Sequence, residues 1–137
     1  MNYFGLSIPE QKRRKEIVRY VRQLILNEMQ VEAADECSIM LSYRGYYLQI
    51  SFSELHPLMV VCLAKVLRGP VLPNQYQRIN NLNLNSVLGS HAVNEEIGCY
   101  SYRATQWLDT EINMPRFFEL LDRCVDEAAR GYHVLTR

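Results

Sequence analysis

Leu58-Met59-Val60-Val61-Cys62-Leu63-Ala64-Lys65-Val66-Leu67 is the most apolar run of the chain, held between Pro57 and Gly69-Pro70. Those breakers stop a helix at either end, and a Val-rich run of this length reads as a buried β-strand. Alternation puts Leu58, Val60, Cys62, Ala64 and Val66 on one face, and Met59, Val61, Leu63, Lys65 and Leu67 on the other. Both faces are apolar for most of their length. Helices of the same chain cover one, and the other asks for a second cover. We expect the partner-facing side to be the one that carries Met59, Val61 and Leu63.

The flanking sequence supplies the rest of a sheet. Before the apolar run, Ile39, Leu41 and Tyr43 alternate with Ser38, Met40 and Ser42. After Arg44-Gly45, Tyr46, Leu48, Ile50 and Phe52 alternate with Tyr47, Gln49 and Ser51. Gly45 stands where a tight hairpin needs positive φ, so Cys37 to Phe52 reads as a hairpin and the apolar run as its third, antiparallel strand. A second hairpin is expected from Val87 to Val93 and from Ile97 to Leu108, around a turn at Asn94-Glu95-Glu96.

Helices frame these strands. Ser7-Ile8-Pro9-Glu10 has the form of a capping box and opens a helix to about Met29, with Ile17, Val18, Val21, Leu24 and Ile25 inward. Lys12, Lys15, Arg19 and Arg22 line its other side, which reads as a solvated face because no aromatic residues interleave to stack bases. Asn74, with Gln77 three residues on, is the expected cap of a short middle helix carrying Tyr76, Ile79 and Leu82. Asn113 caps a last helix whose stripe is Phe117, Leu120, Leu121, Cys124, Val125, Ala128 and Tyr132. The expected architecture is α+β: a single domain over residues 1–137, with a short arm at Met1–Leu6 and the order αβββαββα. Its five strands are mostly antiparallel, with helices packed on one face.

Composition narrows the function classes. The 137 residues carry 15 basic and 15 acidic side chains, so no global charge recommends nucleic acid or an anionic membrane as partner. No stretch approaches the ~20 apolar residues of a membrane span. The first charges follow Phe4-Gly5-Leu6 rather than precede it, unlike a signal peptide, and a cytoplasmic location is expected. Cys37, Cys62, Cys99 and Cys124 are too far apart for a zinc or redox motif and read as reduced thiols.

Ile79-Asn80-Asn81-Leu82-Asn83 resembles the apolar-Asn-x-Leu-Asn helix of the YbjN-like proteins, described as bacterial sensory-transduction regulators. The following hairpin, Val87 to Leu108, and the long helix closing with Ala128-Ala129-Arg130-Gly131-Tyr132 are similar to that family too. The resemblance implies the fold of type III secretion chaperones, small proteins that usually dimerise and hold partner segments. One departure is the turn, Asn94-Glu95-Glu96 here, where the family more often has Asp-Gly.

No motif of an enzyme is present: no H-E-x-x-H, G-x-S-x-G, P-loop or G-x-G-x-x-G. Cys99 and His91 face each other across the second hairpin without an orienting acid, so no catalytic residue, cofactor or metal is expected. Two functions remain. The first is a non-enzymatic, chaperone-like or regulatory protein-binding module, a homodimer whose partner surface includes Met59, Val61, Leu63, Tyr76, Asn80 and Asn83. The second is a small-ligand-binding protein with a pocket lined by Tyr43, Tyr100, Tyr102, Trp107 and Phe117.

Overall fold

The computed structural model describes residues 5–53, 56–108 and 112–136. Its elements run α1 (Ile8–Glu28), β1 (Ala33–Ala34), β2 (Ser38–Tyr43), β3 (Tyr46–Phe52), β4 (Leu58–Val66), α2 (Pro73–Asn85), β5 (Gly89–Asn94), β6 (Cys99–Trp107) and α3 (Met114–Leu135). Most of the expected arm Met1–Leu6 lies outside the described residues, as do Glu54 and Leu55 in the link before β4.

Every strand pair is antiparallel, in the order β1-β2-β3-β4-β6-β5. The sheet thus has six strands rather than the expected five. The addition is β1, a two-residue strand whose Ala33 and Ala34 pair with Met40 and Ile39. Two alanines are too short a run to leave an alternating signature. The first hairpin forms as expected, with Arg44 at φ 48° and Gly45 at φ 86°, the paired positive φ values of a two-residue hairpin turn. The second turns through four residues, Glu95 to Gly98, between the pair Asn94 and Cys99. Gly98 supplies its positive φ of 60°, which explains why no Asp-Gly is needed.

β4 sits in the middle, paired to β3 on one side and β6 on the other. Its register aligns Val61 with Ile50 and Ala104, and Leu63 with Leu48 and Tyr102. Residues aligned across neighbouring strands share a face, so the inward side of the amphipathic hairpin dictates which side of β4 is inward. Met59, Val61 and Leu63 are 0%, 1% and 0% exposed. They are core, and the expectation that they face a partner is corrected: the open side of β4 is the alternate set.

One apolar cluster joins this side of the sheet to all three helices, through Ile17, Val21 and Ile25 of α1, Ile79 of α2 and Phe117, Leu121 and Cys124 of α3. The helices begin at identifiable caps. Ser7 accepts from the Glu10 amide at 3.3 Å, and Asn113 from the Arg116 amide at 3.0 Å. Glu10 does not reach back to complete a capping box. Its carboxylate takes Arg13 at 2.8 Å and Arg14 at 3.1 Å, which hold it down to about pKa 2. The middle helix starts earlier than Asn74: Leu72 is its cap residue, Pro73 its first, and the Gln75 side chain accepts from the Leu72 amide at 2.7 Å. Proline at the first helical position costs no hydrogen bond, so it sets the start.

Polar contacts dock α3 within this apolar setting. The Tyr102 hydroxyl donates to Glu127 at 2.5 Å, and Tyr43 donates to Asp122 at 2.7 Å. His91 Nδ1 lies 2.6 Å from the Tyr100 hydroxyl. Gly131 of α3 rests against that pair, and a Cβ there would fall on His91 Nδ1 and the Tyr100 oxygen. Gly131→Ala is therefore expected to destabilise the fold by about 1–3 kcal/mol in urea unfolding, the range for overpacking a filled core.

Burial pushes the His91 imidazole below its ordinary value of 6.5, against a smaller upward pull from Glu127. The unfolded chain therefore takes up this proton more readily than the folded one. The corresponding stability is complete above the ordinary imidazole value and is lost as pH falls toward the lower folded value. Urea midpoints are expected to drop between about pH 7 and 5, and His91→Gln to flatten that slope. An unchanged slope in the variant would assign the loss to other groups.

Candidate partner-binding face

Leu58, Val60, Cys62, Ala64 and Val66 point away from the helices and form an apolar spine down the middle of the opposite sheet face. The register widens each into a row. Val60 lies between Ser51 and Thr105, Cys62 between Gln49 and Arg103, and Ala64 between Tyr47 and Ser101. Half-buried Met40 and exposed Ser42 of β2 extend two of these rows. The spine is most open at its ends, where Val66 is 72% and Trp107 60% exposed, with Tyr47 at 49%. Five strands of six to nine residues, about 4.8 Å apart with about 3.4 Å per residue, make a face on the order of 600 Å². A standard interface takes about 800 Å² from each partner.

The face is nearly free of charge. Arg103 brings an exposed guanidinium beside Cys62, and among the described residues it makes no ion pair. Burial pushes the Cys62 thiol up, and Arg103 offsets part of that rise. At one end the face runs into a shallow groove of about 610 Å³ lined by Tyr47, Ala64, Val66, Cys99 and Tyr132. Lys65 Nζ lies 4.7 Å and 4.8 Å from the Tyr46 and Tyr132 ring centres there. Cation–π contacts on two rings hold the ammonium at the groove's rim.

The sheet edges, by contrast, offer little to a partner strand. On β5 the Asn83 side chain grips the strand backbone twice, donating to the His91 carbonyl at 3.0 Å and accepting from the His91 amide at 2.7 Å. At the other side β2 is covered by the short edge strand β1 and its flanks, whose Glu32 and Asp35 amides donate to the Met40 and Ser38 carbonyls at 2.9 Å and 3.0 Å. One strand only two residues long and one gripped at its centre make poor templates for strand addition. The open face is left as the candidate surface.

The six residues expected at a partner surface do not share one. Met59, Val61 and Leu63 are core. Tyr76 lies on α2, where its hydroxyl bonds to Glu95, which with burial and charge lifts its pKa to about 12. Asn83 ties α2 to the β5 edge, and Asn80 is exposed on α2. The aromatic set does not surround a pocket either. Tyr100, Tyr102 and Phe117 are packed in the core, whereas Trp107 belongs to the open face. His91 and Cys99 are separated by the sheet: His91 points into the core beside Tyr102, and Cys99 points to the other side. Among the described residues no group of three or more His, Cys, Asp or Glu side chains converges to hold a metal ion. No helix among them is long and apolar enough to cross a membrane.

No family model matches the chain, and no curated protein matches it in sequence. Solved structures match it in fold. E. coli YbjN superposes with a TM-score of 0.61 over 86% of this chain and 88% of its own, at 9% identity. The HopA1–SchA chaperone–effector complex contributes a chain with a TM-score of 0.59, covering 93% of this chain and 98% of that one at 8% identity. A chain of the heterodimeric ExoU–SpcU complex, from the type III secretion system of Pseudomonas aeruginosa, matches at 0.56 over 83% of this chain and 95% of its own, with 14% identity. The resemblance to YbjN and to type III secretion chaperones, read first in the Asn-rich helix, is thus a likeness of fold.

Proposed function

We propose that the chain is a non-enzymatic, chaperone-like protein-binding module, cytoplasmic and working as a homodimer, that holds partner segments on its open sheet face. The observation that carries this reading is the spine from Leu58 to Val66, apolar toward solvent with no helix of the chain over it among the described residues. An apolar spine left open at the centre of a sheet, with Val66, Trp107 and Tyr47 exposed at its ends, is the kind of surface that marks an interaction site. The short β1 edge and the Asn83 clamp on β5 support binding to the face rather than by strand addition. Two of the structures that share the fold are complexes between two proteins, which agrees with this assignment.

The test compares wild type with a Val60→Glu/Val66→Lys variant. Both positions face away from the core, so the variant is expected to melt within a few degrees of wild type. Light scattering during size exclusion at micromolar concentration is expected to give the mass of a dimer, and a strict monomer would remove the dimer from the proposal. In pull-downs from the native cell, wild type is expected to retain partners that the variant loses. Identical sets of captured proteins would show that the face is not the binding surface.

A further inference from the structure

On the helix side of the molecule, a groove of about 360 Å³ is lined by Lys15, Val18, Arg19 and Arg22 of α1 and by Glu36. Lys15, Arg19 and Arg22 recur at helical spacing, so one face of α1 presents all three. The sequence reads this stripe as simply solvated, and the structure differs at Arg22. Its guanidinium folds over the link after β1 and donates to the Asp35 carbonyl at 2.6 Å. Its Nε is closed off from solvent and meets no acceptor, the one such side-chain atom among the described residues.

Of the nearby carboxylates, that of Asp35 reaches Arg22 by charge alone, and among the described residues it forms no ion pair. Asp35 spends Oδ1 on the Cys37 and Ser38 amides, both at 2.8 Å. Glu10 is shared by Arg13 and Arg14 farther up the helix. Lys15 and Arg19 make no ion pair among the described residues. The groove therefore holds two uncommitted cations, a buried donor without an acceptor and a single carboxylate, Glu36.

We propose that this groove binds an acidic peptide segment of a protein partner, its carboxylates meeting Lys15 and Arg19 and drawing the Arg22 guanidinium outward into a two-pronged contact. A planar guanidinium matches a carboxylate through two parallel N–H bonds, and an unbonded Nε is the prong still free. Val18 gives an apolar floor for the methylene stem of a glutamate. A peptide fits better than a nucleic acid, because no aromatic side chain lines the groove to stack a base. The groove lies on α1, apart from the sheet face, so this proposal and the one above can fail separately.

The probe is a fluorescently labelled hexaglutamate peptide titrated into the full chain at about 0.15 M salt, where the Debye length is about 8 Å. An oligothymidylate of equal charge serves as competitor. Saturable peptide binding is expected, weakened about tenfold by Lys15→Ala/Arg19→Ala, the combined effect of two exposed ion pairs. Glu36→Gln is expected to tighten binding. Arg22→Lys keeps the charge but removes the forked donor, so it is expected to weaken binding where a diffuse electrostatic attraction would leave it unchanged. If Arg22→Lys melts below wild type, the double variant, which touches only side chains outside the core, decides. No saturable binding, binding that ignores the double variant, or tighter binding of the oligothymidylate would each overturn the proposal.

Discussion

β4 is hydrogen-bonded along both edges and apolar on both faces, and every other element is placed by how those demands are met. Pairing with β3 and β6 fixes its register, and a slip of one residue would exchange the two faces. In the register observed, Met59, Val61 and Leu63 lie beneath the helices, each worth roughly 1.5–3 kcal/mol as a fully buried side chain. α3 covers this side, with α1 and α2 packed against it. The same pairing leaves Leu58, Val60, Cys62, Ala64 and Val66 without a helix above them. A central strand cannot withdraw from its neighbours, so this apolar spine persists in any state that keeps the sheet.

The polar contacts decide how such a surface is used. Asn83 bonds the middle of the β5 edge, and β1, at the opposite edge, is only two residues long, so the sheet offers little edge while its face stays open. Tyr43 and Tyr102 lock α3 onto the opposite side through their hydroxyls on Asp122 and Glu127, and His91 pairs with Tyr100 within the sheet. Tyr100, Tyr102 and Phe117 are packed solidly around these contacts, at 0%, 0% and 2% exposure. The surfaces left for the proposed roles are the sheet face and the cationic groove on α1.

Much of the fold was legible in the chain. The caps at Ser7 and Asn113 and the Arg44-Gly45 turn carry strong local chemistry, and each formed where its residues said it would. β1 was not legible, because two exposed alanines acquire strand geometry only from the β2 backbone beside them. The start of α2 followed Pro73 rather than Asn74, since proline's fixed φ outweighed a cap residue's preference. The candidate site was half legible. Alternation along β4 sorted its residues into two faces correctly but could not say which was outer, because both are greasy. That information lay in the partner strand: Ile50 and Leu48, plainly inward in their hairpin, align with Val61 and Leu63. Arg22's unmet donor had no signature in sequence, since it arises from a side chain folding across to Asp35.

The account turns on one side of β4 being wet while the other is dry in the isolated chain. Methyl NMR with a soluble paramagnetic agent reads this directly, at protein concentrations low enough to keep the chain monomeric. Strong broadening is predicted for the Val66 methyls and clear broadening for Val60, with Val61 and Leu63 unaffected. Equal protection of all four in a monomer would mean that the chain covers its own spine, and the docking face would not exist.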